Sequence, residues 1–131
     1  MDTVNPSLPD GYSAVPAGKI ANVVTCLEMR ARPPARPVPP ADAALRVDRW
    51  EKPELAAYRA LFREIGEEWM WFSRLVMPDD QLAAILGDPD VHVYALKDGE
   101  RRVGLLELDF RTPGECELPF FGLVTDAIGQ G

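Results

Sequence analysis

The sequence predicts an α/β (α+β) fold, a mixed and mainly antiparallel sheet with two helices between the early strands and a three-stranded meander after them. Three observations carry this expectation. Apolar residues alternate with polar ones over short runs near 20–29 and 45–50, and strand-favouring runs return after residue 91. Between them, from Leu55 to Trp69, they recur every three or four positions, the period of a helix with one buried face. Turn residues then divide the last third of the chain at Lys97-Asp98-Gly99-Glu100 and at Thr112-Pro113-Gly114.

Each element follows from local chemistry. At 131 residues, 47% apolar and 27% charged, the chain has the size and balance of one folded domain with one core. Residues 1–18 hold Pro6, Pro9, Gly11, Pro16 and Gly18, too many breakers for core, and read as an arm over a surface. The domain proper is expected over 19–131. Its first strand is Ile20 to Met29, with Val23, Thr25, Leu27 and Met29 on one side. Five prolines between Pro33 and Pro40 forbid helix, deprive a sheet of donors and give a stiff, polyproline-like connector. A second short strand covers 45–50.

Pro53 suits a first helical turn, and Leu55, Tyr58, Leu61, Phe62, Ile65 and Trp69 form the inward stripe of the helix that follows. Glu54, Arg59, Arg63, Glu64, Glu67 and Glu68 fall on its solvated side. Pro78-Asp79-Asp80 opens a shorter helix that buries Leu82, Ile85 and Leu86, and Gly87-Asp88-Pro89 stops it. The meander comprises 91–96, 102–110 and 115–125.

Acidic residues exceed Lys and Arg by 21 to 14, a formal charge of -7 that repels a nucleic-acid backbone. No nucleic-acid partner is expected. Cys26 and Cys116 form neither a Cys-x-x-Cys pair nor a disulfide framework, so a reduced, cytoplasmic protein is expected. Asp2, Asn5 and Pro6 stand where a signal peptide needs basic and then apolar residues, and no apolar run is long enough for a membrane span. His92 lies between Val91 and Val93 with no companion ligands, so no metal is expected.

Ile128-Gly129-Gln130-Gly131 has the composition of a turn whose backbone N–H groups converge on one anion, since glycine adopts positive φ and lets the chain approach closely. Alone, such a stretch also reads as a polar terminus. Two helices, a meander and a Gly loop in that order change the reading. Phe121 to Gly131 fall in register with apolar, any, apolar, any, Pro, two residues, Gln or Arg, Gly, any, Gly, with Thr125 in place of Pro and Ile128 in place of Gln or Arg. Over residues 20–131 the chain resembles the first half of GNAT-type N-acetyltransferases.

The resemblance implies acetyl-CoA as cosubstrate and transfer of its acetyl group to a primary amine, on a small molecule or a peptide, by direct attack. It implies that Phe121, Leu123 and Val124 hold the pantetheine arm through their main chain, and that Ile128, Gly129, Gln130 and Gly131 form the pyrophosphate loop. The family's later elements do not follow Gly131, so impaired activity is expected of this chain alone, with an exposed last-strand edge open to a second copy or another chain. The alternative is a non-catalytic acyl-CoA-binding or protein-interaction domain of the same fold.

Deprotonating an ammonium requires a base. Glu117 stands four residues before Phe121, where some histone-acetylating members of that family carry a glutamate base, and strict alternation puts Glu115, Glu117, Pro119 and Phe121 on one face. Glu117 also reads as a solvated strand residue. Trp69-Met70-Trp71-Phe72 is more aromatic bulk than one helix face buries, so Trp69, Trp71 and Phe72 are candidate walls of an acceptor pocket as well as core, with Ser73 and Arg74 at its rim.

Overall fold

The computed structural model describes residues 8–40 and 44–130. The chain divides into two units, Met1–Pro37 and Val38–Gly131. In the first, residues 8–37 form neither helix nor strand, and Ile20, Val23, Val24, Leu27 and Met29 are all exposed. The strand expected over 20–29 is therefore absent. Strand-favouring residues hold an extended form only where a neighbouring strand takes up their main-chain groups and covers one face, and the sheet contains no strand from this region.

The second unit is a small α+β domain. Leu45–Arg49 forms β1, Leu55–Gly66 α1, Ser73–Val76 α2, Asp79–Gly87 α3, Val91–Asp98 β2, Arg101–Asp109 β3 and Glu117–Leu123 β4. The four strands make one sheet in the order β1-β2-β3-β4 with every pairing antiparallel, so the parallel component expected of a mixed sheet is missing. Short turns explain two of the three pairings, because β2, β3 and β4 are joined by a few residues and can only run back along each other, whereas β1 reaches its place beside β2 through the helical segment between them. The helices supply Tyr58, Leu61, Phe62, Ile65, Leu82 and Leu86 to a core closed from the sheet by Val91, Val93, Val103 and Leu105.

Helix α1 begins at Leu55, two residues after Pro53. Glu54 is its cap, its carboxylate accepting from the N–H groups of Ala56 at 3.1 Å and Ala57 at 3.0 Å. The helix also ends earlier than the apolar stripe implies. A Cβ on Gly66 would collide with the Trp71 side chain, Glu67–Trp69 tightens into a 3-10 turn, and Met70 takes a left-handed φ of 58° that reverses the chain. Trp69 is thereby 65% exposed rather than core. Arg59, expected in solvent, instead donates to the carbonyls of Arg74 at 3.0 Å and Met77 at 2.6 Å and pairs with Asp79 at 2.5 Å. It holds the α2 segment, which sequence periodicity does not reveal, against α1.

Beneath α2 lies a charge in the core. Glu107 of β3 has no exposed surface, its carboxylate accepting from the Tyr58 hydroxyl at 2.7 Å and from the Arg74 guanidinium, which lies over the Phe120 ring. Burial first, and then the Glu107 charge, push the Tyr58 phenol far above its ordinary range, so it remains a donor. Removing one member of a buried ion pair leaves the other uncompensated, which costs about 3–5 kcal/mol. Glu107→Gln is accordingly expected to lower urea-unfolding stability by about that amount, and Tyr58→Phe, which removes one hydrogen bond to a charged group, by about 1.5–3 kcal/mol.

Candidate functional site

Strand β4 is an edge strand, paired with β3 alone. The Val124 N–H donates to the Val103 carbonyl at 2.9 Å. Main-chain groups of an antiparallel strand point alternately to either side. Gly122 and Phe120 thus face β3 with Val124, while the N–H and C=O groups of Phe121 and Leu123 face the free edge. Side chains alternate as well. Phe120 opposite Glu107 and Gly122 opposite Leu105 lie on the helix side, whereas Phe121 opposite Leu106 and Leu123 opposite Gly104 lie on the other.

A cavity of about 370 Å³ opens at this strand, lined by Ile65, Trp69, Trp71, Phe121, Gly122, Leu123 and Ile128. Its walls come from both faces of β4, so it wraps the free edge. Trp71 is fixed there by Phe62 and Phe120, with ring centroids 5.3 Å and 5.2 Å away. Gly122 makes the close fit possible, because a Cβ at that position would stand 2.5 Å from Ile65 Cγ2 and 3.1 Å from Trp71 Cη2. No family model, no curated protein and no solved structure matches the chain.

Five of the residues singled out in the sequence meet in this cavity: Trp69, Trp71, Phe121, Leu123 and Ile128. Others stand apart. Phe72 caps α2 outside the lining. Val124 is buried, its N–H held by Val103 and its carbonyl accepting from Ala127 at 3.0 Å, so its main chain already has internal partners. The strand ends at Leu123 rather than Thr125, and Thr125–Ala127 forms a 3-10 turn before the Gly loop. Gly129 takes the positive φ, 77°, that the loop reading calls for, and it and Gln130 are exposed. Gly131 lies outside the described residues. Ile65, expected only in the core stripe, and Gly122, expected to have no site role, also line the cavity, and a glycine inside a strand is the signal of such close approach.

Glu117 does not share a face with Phe121. Register shifts between Glu107 and Asp109, which pair with Phe120 and Glu117, so β4 carries one residue more than β3 across that interval. The bulge moves Glu117 to the face of Phe120 and Gly122, the side on which Trp71 packs. Glu117 is exposed, sits opposite Asp109 and is not part of the cavity lining. Asp109 itself is gripped by Arg111, with contacts down to 2.6 Å, which hold its carboxyl below the usual range. Among the described residues no group of three or more His, Cys, Asp or Glu is placed to hold a metal ion, and no helix is long and apolar enough to cross a membrane.

Arg101, at the start of β3, fixes the cavity's lower wall. It donates to Asp126 at 2.7 Å and to Glu64 at 2.9 Å, tying the turn that carries Ile128 to the end of α1. Hydrogen bonding to Arg101 depresses the Asp126 carboxyl. A depressed carboxylate contributes stability that is present above its unfolded value, about 4, and lost as pH falls through the lower folded one. Thermal unfolding followed between about pH 5 and 2 is therefore expected to show less acid sensitivity in Asp126→Asn than in the parent. Gly122→Ala, by contrast, is expected to displace Trp71 at any pH, costing about 1–3 kcal/mol and changing the near-UV circular dichroism of the Trp71 cluster.

Proposed function

We propose that the domain is an acetyltransferase of the GNAT type, which lays the pantetheine arm of acetyl-CoA along the free edge of β4 and passes the acetyl group to a primary amine. One observation carries the reading: the cavity at that edge joins the residues expected to hold the cosubstrate, Phe121, Leu123 and Ile128, with those expected to wall the acceptor, Trp69 and Trp71. The outward main-chain groups of Phe121 and Leu123 match the alternating amides of an extended pantetheine as they would match another strand. An N–H on that edge polarises the thioester carbonyl, the neutral amine adds to it, the carbon–sulfur bond breaks and the thiolate leaves. The ammonium proton passes to Glu117, on the Trp71 side of β4, through water. The exposed loop at Gly129 and Gln130 supports the pyrophosphate.

A non-catalytic acyl-CoA-binding domain is the second reading. It is favoured by the absence of any ionisable side chain among the cavity-lining residues. Amide chemical shifts under titration with acetyl-CoA test both readings: Phe121, Leu123 and Gly129 are expected to move, and an absence of shifts and of calorimetric heat would sink them together. Turnover separates them. If Glu117 is the base, Glu117→Gln loses acetyl transfer to a generic primary amine by about a hundredfold or more at neutral pH, and the loss narrows as pH approaches the amine's own value; an unchanged rate and pH profile removes Glu117 from the mechanism.

A further inference from the structure

The edge cavity has a composition that discriminates among amines. Its lining residues are apolar or aromatic throughout, with no charged side chain and no side-chain hydrogen-bond partner apart from the two indole N–H groups. A polyamine, a sugar amine or a free amino acid entering it would surrender hydration at several polar groups and recover little. Size points the same way. A cavity near 150 Å³ is enough to hold benzene, so about 370 Å³ accommodates an aromatic ring with a short linker.

The walls are also shaped for a flat body. Trp71 is held rigid between Phe62 and Phe120, and its ring edge lies over Gly122. Trp69, 65% exposed, contributes a second indole to the lining. The charge around the cavity mouth is acidic. Glu67 and Glu68 adjoin Trp69 in the 3-10 turn and form no ion pair among the described residues, while Glu64 and Asp126 outnumber the Arg101 they share; of the other cations near in sequence, Arg74 is taken up by the buried Glu107, which leaves Arg63. A cation at the Trp69 face is drawn by the ring and by unpaired carboxylates together, and an anion of the same shape is repelled.

Resting on the acyl-transfer reading above, we propose that the acceptor is an arylalkyl primary amine, its ring between Trp69 and Trp71 and its ammonium at the acidic mouth beside the β4 edge. Deprotonated there, the nitrogen forms the new N–C bond as the thioester C–S bond breaks, with the proton leaving through water.

Binding can be tested without turnover, by following the indole N–H resonances of Trp50, Trp69 and Trp71 in the full chain. The probes are 2-phenylethylamine, 3-phenylpropionate (ring, opposite charge) and hexylamine (charge, no ring). Saturable shifts at Trp69 and Trp71 with Trp50 unmoved are expected for 2-phenylethylamine, with affinity about tenfold above either control. Trp69→Ala, a largely exposed position whose loss leaves the core intact, is expected to weaken that binding about tenfold while the Trp50 signal reports an unchanged fold. Equal binding of the three probes, tighter binding of 3-phenylpropionate or hexylamine, or shifts centred on Trp50 would overturn the proposal. Acetyl-CoA added to the same sample keeps the two claims apart. Movement of the Phe121 and Leu123 amides with no response to 2-phenylethylamine rejects the acceptor class alone. The reverse pattern upholds the arylalkylammonium site and rejects transfer.

Discussion

The Glu107 carboxylate, wholly buried between helix α1 and the sheet, is the constraint around which the domain is arranged. A lone charge there would be prohibitive, and its two partners come from separate elements, Tyr58 from α1 and Arg74 from α2. Satisfying one carboxylate therefore ties the first turn of each helix to β3 and limits how the chain between them can run. Arg59 repeats the tie from the outside by binding the carbonyls of Arg74 and Met77. The segment so clamped at both ends is 66–72, and it holds both tryptophans of the cavity. Aromatic packing completes the fixing, since Arg74 lies over the Phe120 ring that also contacts Trp71. The wall of the site and the charge in the core are thus one structural unit.

This coupling explains why the site is better formed on one side than on the other. Trp71 is anchored by core residues and by the absence of a side chain at Gly122. Ile128 depends on a surface clamp, Arg101 to Asp126 and Glu64, whose members are about half or more exposed to water. Exposed pairs are weak and salt-sensitive individually. The cavity at the β4 edge thus has a rigid aromatic wall on one side and a turn held only by exposed ion pairs on the other.

Much of this was legible in the sequence where short-range rules suffice. Helix α3, bounded by Pro78 and Gly87, and the turns at Gly99 and Gly114 follow from local chemistry, and so does the inward stripe Tyr58, Leu61, Phe62 and Ile65. The failures share a cause in partners that lie far away along the chain. Residues 20–29 have strand composition and no neighbour to pair with. Arg59 sits on the polar side of the helix by periodicity, yet carbonyls fifteen or more residues away recruit it. Trp69 continues the apolar stripe, but the collision that a side chain at Gly66 would make with Trp71 shows how tightly the chain turns there. The bulge in β4 is invisible to alternation because one extra residue reverses the face of everything before it.

That bulge also bears on what the edge of β4 will accept. An unpaired strand edge is a template for another strand, and proteins blunt such edges with prolines, charges and bulges. Here the first half of β4 carries all three, with Glu117, Pro119, which has no N–H to offer, and the register shift opposite Leu108. The second half carries none, and the outward main-chain groups of Phe121 and Leu123 stay open beside the cavity. What remains is an edge too short for a stable strand pairing and long enough for two amides. The same bulge that removes Glu117 from the face of Phe121 is what keeps the open edge that short.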